Sequence, residues 1–235
     1  VMWLSSYSQN WIASVNPADN FRTVREFQAN RPMDNGWADG ILYQIMWSNN
    51  YLARYNSQGQ NIGNFNLNHR PVAVATDLEN MLLFTLADGN WNLHIYDIEN
   101  NLQQIGQINN MRQFTENRTC RSMHWVSEHP DGQLWMSTAA RIYRVFVDVE
   151  DESAETVFAA NRFGNQDWDG VGHDGENLWL SSTNEAPIRI WDDGIAELKW
   201  FSWQPEEGSL EAGGEEDMII TLDATELIGG DWIAE

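Results

Sequence analysis

The stretch His129-Pro130-Asp131-Gly132-Gln133-Leu134-Trp135-Met136-Ser137-Thr138 recurs as His173-Asp174-Gly175-Glu176-Asn177-Leu178-Trp179-Leu180-Ser181-Ser182. In both copies an Asp-Gly step precedes Leu-Trp-x-Ser. Asp-Gly beside an apolar run marks a tight hairpin turn, because that turn needs positive φ. The same core returns as Asp39-Gly40-Ile41-Leu42-Tyr43 and, without the glycine, as Asp77-Leu78-Glu79-Asn80-Met81-Leu82. Met2-Trp3-Leu4-Ser5-Ser6 matches Leu178 to Ser182 and enters the pattern in mid-repeat. A weaker sixth copy is Glu215 to Thr221. The Leu/Met position anchors the repeats near residues 2, 42, 81, 134, 178 and 218.

A second short alternating run follows most anchors: Leu52 to Tyr55, His94 to Asp97, Arg141 to Arg144 and Arg189 to Asp192. A third follows that, at Ile62 to Leu67, Leu102 to Ile108, Thr156 to Ala159 and Leu198 to Trp203. Another precedes some anchors, as in Pro71 to Ala75 and Gly170 to Gly172. Four short strands per repeat of this length describe a β-propeller blade. No window has helical periodicity long enough to compete. The expected fold is therefore all-β, a single propeller over residues 1–235, with five blades preferred over six. In the five-bladed reading, strands from both termini close the ring, and the stretch around Met218–Trp232 supplies the innermost strand of the blade that begins at Val1. The 13 tryptophans fit this architecture. Trp3, Trp135 and Trp179 share one repeat position with Tyr43, where large rings would pack blade on blade.

The Asp-Gly-x-x-Leu-Trp-x-Ser pattern, with Ile-(Trp/Tyr)-Asp behind it, resembles the repeats of NHL-type and quinoprotein-like β-propellers. The resemblance implies architecture and no single function, because such propellers include enzymes, scaffolds and adhesins.

Charge narrows the partners. The formal net charge is −22. Residues 1–147 carry 12 acids against 10 bases, and residues 148–235 carry 23 against 3. Nucleic acid is excluded as a default partner, since phosphate binding needs a basic footprint. No apolar run is long enough for a membrane-spanning helix, so membrane insertion is not expected. The run Asp148, Glu150, Asp151 and Glu152 suggests an acidic face for a basic partner or a second copy of the chain. Arg112, Arg118 and Arg121 make the insertion around Asn109–Ser122 locally basic, a match for such a face.

Catalytic motifs are absent from the sequence. There is no Gly-x-Ser-x-Gly elbow and no phosphate loop. The single cysteine, Cys120, reads as a buried structural thiol. His124, His129 and His173 have spacings that favour turns over a zinc site. Calcium is the better cofactor candidate, at Asp148–Glu152 or at Asp167-Trp168-Asp169-Gly170, although neither follows the calcium-loop spacing. Asp167, Asp169 and Asp174 are candidate paired carboxylates for glycoside chemistry. Trp91, Trp168 and Trp203, flanked by polar residues, suggest rings for sugar stacking. The ligand-binding set expected is Trp91, Asp167, Trp168, Asp169 and His173. The function class favoured is a non-catalytic binding or structural module, extracellular or surface-associated, working in protein assembly such as a cell-surface or virion structure. The alternative is a calcium-assisted hydrolase or lyase acting on a glycan or lactone, or a sugar-binding lectin.

Overall fold

The computed structural model describes residues 2–16, 19, 21–129, 131–161, 169–174, 177–182, 188–193, 201–204 and 219–222. The chain divides into two compact units, Val1–Asp193 and Gly194–Glu235. In the second unit, β19 (Phe201–Gln204) and β20 (Ile219–Leu222) form an antiparallel pair. Trp203 thus lies in a strand. The anchor at 218, and residues 223–232 of the stretch expected to close the ring, lie outside the described residues.

The first unit holds five antiparallel sheets. The first comprises β1 (Met2–Ser6), β2 (Trp11–Asn16) and β3 (Arg22–Gln28). The second comprises β4 (Pro32–Ala38), β5 (Ile41–Met46), β6 (Tyr51–Asn56) and β7 (Asn61–Asn66). The third comprises β8 (Pro71–Asp77), β9 (Leu82–Ala87), β10 (Leu93–Asp97) and β11 (Gln103–Ile108). The fourth comprises β12 (Cys120–Trp125), β13 (Leu134–Thr138), β14 (Arg141–Asp148) and β15 (Ser153–Asn161). The fifth comprises β16 (Gly170–His173), β17 (Leu178–Ser181) and β18 (Arg189–Trp191). Every strand pairs with its sequence neighbour, as a meander with turns between short strands requires.

The inner strands β4, β8, β12 and β16 pack in that order around the axis. Phe21, before β3, meets Trp179 of β17 at 4.8 Å between centroids, which links the fifth sheet to the first. This is a five-bladed β-propeller. The repeat-position aromatics do pack between blades: Trp3 stacks on Trp37 of the second sheet at 5.3 Å. Tyr43 shares a buried cluster with Val74 and Leu83 of the third sheet. A larger buried cluster joins Phe84, Ile95 and Met111 to Met123, Trp125 and Val145 of the fourth.

Asp34 of β4 ties the blades together at the axis. Its Oδ2 accepts from the Val74 N–H at 2.9 Å and the Met123 N–H at 3.1 Å. Its Oδ1 accepts from the Ser122 hydroxyl at 2.7 Å, and Ser122 Oγ accepts in turn from the Val171 N–H at 3.2 Å. The donors come from β8, β12 and β16, whose axial edges have no sheet partner to use them. The first sheet is tied in through Ser5, whose hydroxyl donates to the Met33 carbonyl and accepts from Asn35. Enclosure by protein raises the Asp34 pKa to about 7, against the opposing effect of these donors.

Candidate functional site

Strand parity fixes which side chains share a face. Consecutive strands are antiparallel, so alternate connections fall at opposite ends of the disc. Turns leaving β1, β5, β9 and β13 share one end with the crossovers between sheets. Contacts confirm the grouping. Tyr7 meets Trp47 edge to face at 5.7 Å, the Trp47 N–H donates to the Arg31 carbonyl, and the Asp88 N–H donates to the Arg70 carbonyl. At the other end the Ser127 hydroxyl donates to Asp77 across two sheets at 3.1 Å.

The two ends carry opposite charge. The first holds Arg31, Arg70, Arg112 and Arg118 in its connections, with Arg121 and Arg141 at adjoining strand ends. Its described acids are Asp88, Glu116 and Asp169, each ion-paired to one of these arginines. The second end carries Asp39, Glu79, Glu99, Glu128 and Asp131 from the second to fourth sheets. Glu150, Asp151, Glu152, Asp174, Asp192 and Asp193 continue it. Among the described residues its connections hold no arginine or lysine, and the one cation at an adjoining strand end, Arg22, is paired with Asp19 at 3.1 Å. The near-neutral residues 1–147 are therefore segregated by face, which chain position alone conceals.

At the acidic end lies a buried polar knot between the fourth and fifth sheets. The turn after β12 presents His129, β16 ends in His173, and the chain after β18 brings in Asp193. Asp193 Oδ2 lies 3.1 Å from His173 Nε2 and 3.4 Å from His129 Nε2. The Trp135 indole N–H donates to His129 Nδ1 at 3.0 Å. Desolvation lowers the His129 pKa to about 4, so the ring is neutral near pH 7. His124, on β12 nearby, is also lowered to about 4 by withdrawal from water.

The three side chains offer ligand atoms within 4.8 Å of one another, a donor set of the two-histidine, one-carboxylate kind. The Trp135 bond argues against ligation. A neutral imidazole whose Nδ1 accepts must carry its proton on Nε2, the atom a metal would need. His173 Nε2 and Asp193 Oδ2 complete the knot with a hydrogen bond at 3.1 Å, while His129 Nε2, 3.4 Å from the same oxygen, is buried without a hydrogen-bond partner.

The remaining site residues separate. Trp91 is 9% exposed, belongs to the core and lies under the Arg112 guanidinium, so its ring is not a sugar platform. Asp169 pairs with Arg121 at the arginine end. Asp174 stands across the length of β16 from it, so these two carboxylates do not converge. Asp167 and Trp168 lie outside the described residues. In the turn after β14, Glu150, Asp151 and Glu152 are exposed and Asp148 is half-buried. Asp148 Oδ1 accepts from the Asp151 N–H, and Glu152 Oε1 from the Gln107 N–H of the third sheet. The basic insertion is ordered as a short 3-10 helix, Met111–Thr115, with Met111 fully buried. Cys120 is buried, and enclosure pushes its thiol pKa up. Asp193 was missed in sequence because Asp192-Asp193-Gly194 reads as an ordinary turn.

No family model and no curated protein matches the chain. Solved structures do. Glutaminyl cyclase from Myxococcus xanthus aligns with TM-score 0.56 and 9% identity, over 81% of this chain and 87% of that one. Hydrazine synthase from Kuenenia stuttgartiensis aligns with TM-score 0.50 and 12% identity, over 79% of this chain and 54% of that one. A chain of the mitotic checkpoint complex aligns with TM-score 0.49 and 12% identity, over 78% and 56%. The chain thus spans about half the length of the latter two. At these identities the likeness shows the propeller fold alone.

Proposed function

We propose that this propeller is a non-catalytic protein-binding module, extracellular or surface-associated, that takes a basic protein partner on its acidic end. The observation that carries the reading is the segregation of charge between the two ends. Carboxylates on turns held by rigid blades form a fixed anionic surface, and such surfaces steer and orient cationic partners. The probe is an oligo-arginine peptide followed by fluorescence anisotropy. Neutralising Asp148, Glu150, Asp151 and Glu152 to their amides should weaken it more, per charge removed, than the same change at Asp88, Glu116 and Asp169 of the arginine end. Equal losses would mean that only net charge matters, and the reading would fail.

A second reading is a hydrolase or lyase acting on a glycan or lactone, with or without calcium. Asp193 supports it, because a carboxylate facing an imidazole is how general-base catalysis orients its histidine. Turnover in a lactone and glycan panel that disappears in His173→Gln would favour this reading. A silent panel would remove it.

A further inference from the structure

We propose that the arginine end of one copy docks on the acidic end of a second copy, head to tail. The inference rests on the acidic-end reading above and names its partner as this same chain. Four observations carry it. Both surfaces belong to the five-sheet unit and lie at its opposite ends, so a shift along its axis brings the arginine end of one copy toward the acidic end of the next. Among the described residues the cations at the arginine end are all arginine, whose planar fork grips carboxylates through two parallel N–H donors. Four of them lie over rings: Arg31 over Tyr7 at 5.8 Å, Arg70 over Trp47 at 5.8 Å, Arg112 over Trp91 at 5.3 Å and Arg141 over Tyr143 at 5.7 Å. Beside them Tyr7 and Trp47 are 44% and 41% exposed. Exposed aromatics ringed by arginine are the composition of interface centres, not of ordinary solvated loops.

The two contacting surfaces differ, so the interface is heterologous. A translation does not close on itself, and the product is an open stack that lengthens with concentration, not a fixed dimer. Salt gives the sign. Face-to-face attraction between opposite charges weakens as salt rises. Association through Tyr7 and Trp47 alone would strengthen instead, because salt screens the repulsion between two chains of net charge −22.

The test is sedimentation velocity of the whole chain across concentration at low and high salt. The expected result is a concentration-dependent series of species at low salt that collapses to monomer at high salt. Two variants locate the faces. Arg31→Glu with Arg112→Glu reverses the arginine end, and Glu150→Arg with Asp151→Arg reverses the acidic end. Each alone should weaken self-association by about tenfold or more. Their mixture should associate again, because each supplies the face the other lacks. Circular dichroism checks that both fold, and Arg31→Ala serves if the double reversal does not. A monomer under all conditions, or growth favoured by high salt, would overturn the proposal. If such a monomer still binds oligo-arginine through residues 148–152, the acidic-end reading stands and only the self-docking fails. A mixture that stays monomeric while wild type associates would place the contact elsewhere and also overturn it.

Discussion

Two of the polar knots inside the propeller are built differently. Asp34 at the axis accepts from backbone N–H groups of β8 and β12 and from Ser122, which holds β16. The knot at the acidic end joins side chain to side chain: Trp135 to His129, with His129 and His173 facing Asp193. The first uses donors that every inner strand presents at its axial edge, so it serves the ring whatever the surrounding side chains are. The second depends on four chosen side chains. The difference separates a group needed for the fold from one that a fold could do without.

Asp34→Ala is the sharpest way to break that contrast. It leaves two backbone donors and a hydroxyl enclosed without acceptors, each costing about 1–3 kcal/mol. Loss on the order of 3–5 kcal/mol is expected in chemical denaturation. Asp34→Asn keeps one acceptor oxygen and should lose less. An alanine variant within about 1 kcal/mol of wild type would show that the axis is not held there.

Trp135→Phe acts on the other knot. It keeps a ring in the core and deletes the N–H that fixes the His129 tautomer. A loss of about 1–3 kcal/mol is expected. Nδ1 can then carry the proton, and Nε2 becomes a lone pair facing His173 and Asp193. Cobalt(II) should give a ligand-field spectrum in this variant and none in wild type. An equal spectrum in wild type would refute the tautomer argument.

The knots also respond oppositely to pH. His129, His124 and His69 are each lowered to about 4, first by withdrawal from water; for His69 repulsion from the His94 charge adds to it. The unfolded chain binds protons at these sites first, so their contribution to stability is lost as pH falls from the ordinary value near 6.5 toward 4. Asp34 is raised to about 7, so the folded chain keeps a proton that the unfolded chain has released. Its contribution is lost as pH rises from about 4 to about 7. Melting temperature against pH should therefore fall more steeply on the acid side in Asp34→Asn than in wild type. His129→Gln should flatten that limb.

How legible each region was follows from the range of its contacts. Leu42, Leu134 and Leu178 mark β5, β13 and β17 because the blade signal is local, an Asp-containing turn followed by an apolar run. The anchor at 81 falls one residue early, since Met81 has φ 51° and belongs to the turn before β9. Asp34 gave no signal: its partners lie 40, 88 and 89 residues away, and nothing beside it shows that a carboxylate belongs there. Charge segregation was hidden for a related reason. Acids and arginines alternate along the chain with the strand period, so any linear window averages them until strand parity sorts them by end.

The smallest expected effect separates stability from recognition. Glu152→Gln leaves a side-chain oxygen able to accept from the Gln107 N–H, and the group is exposed. Stability should change by no more than about 0.5 kcal/mol, as for surface substitutions generally. Oligo-arginine binding should still weaken, because one carboxylate of the acidic end is gone. Asp34→Asn should do the reverse, lowering stability while leaving peptide affinity alone once the protein is folded. If the two variants move both quantities together, the axial and peripheral polar groups form one coupled system, and the division between scaffold and binding surface does not hold.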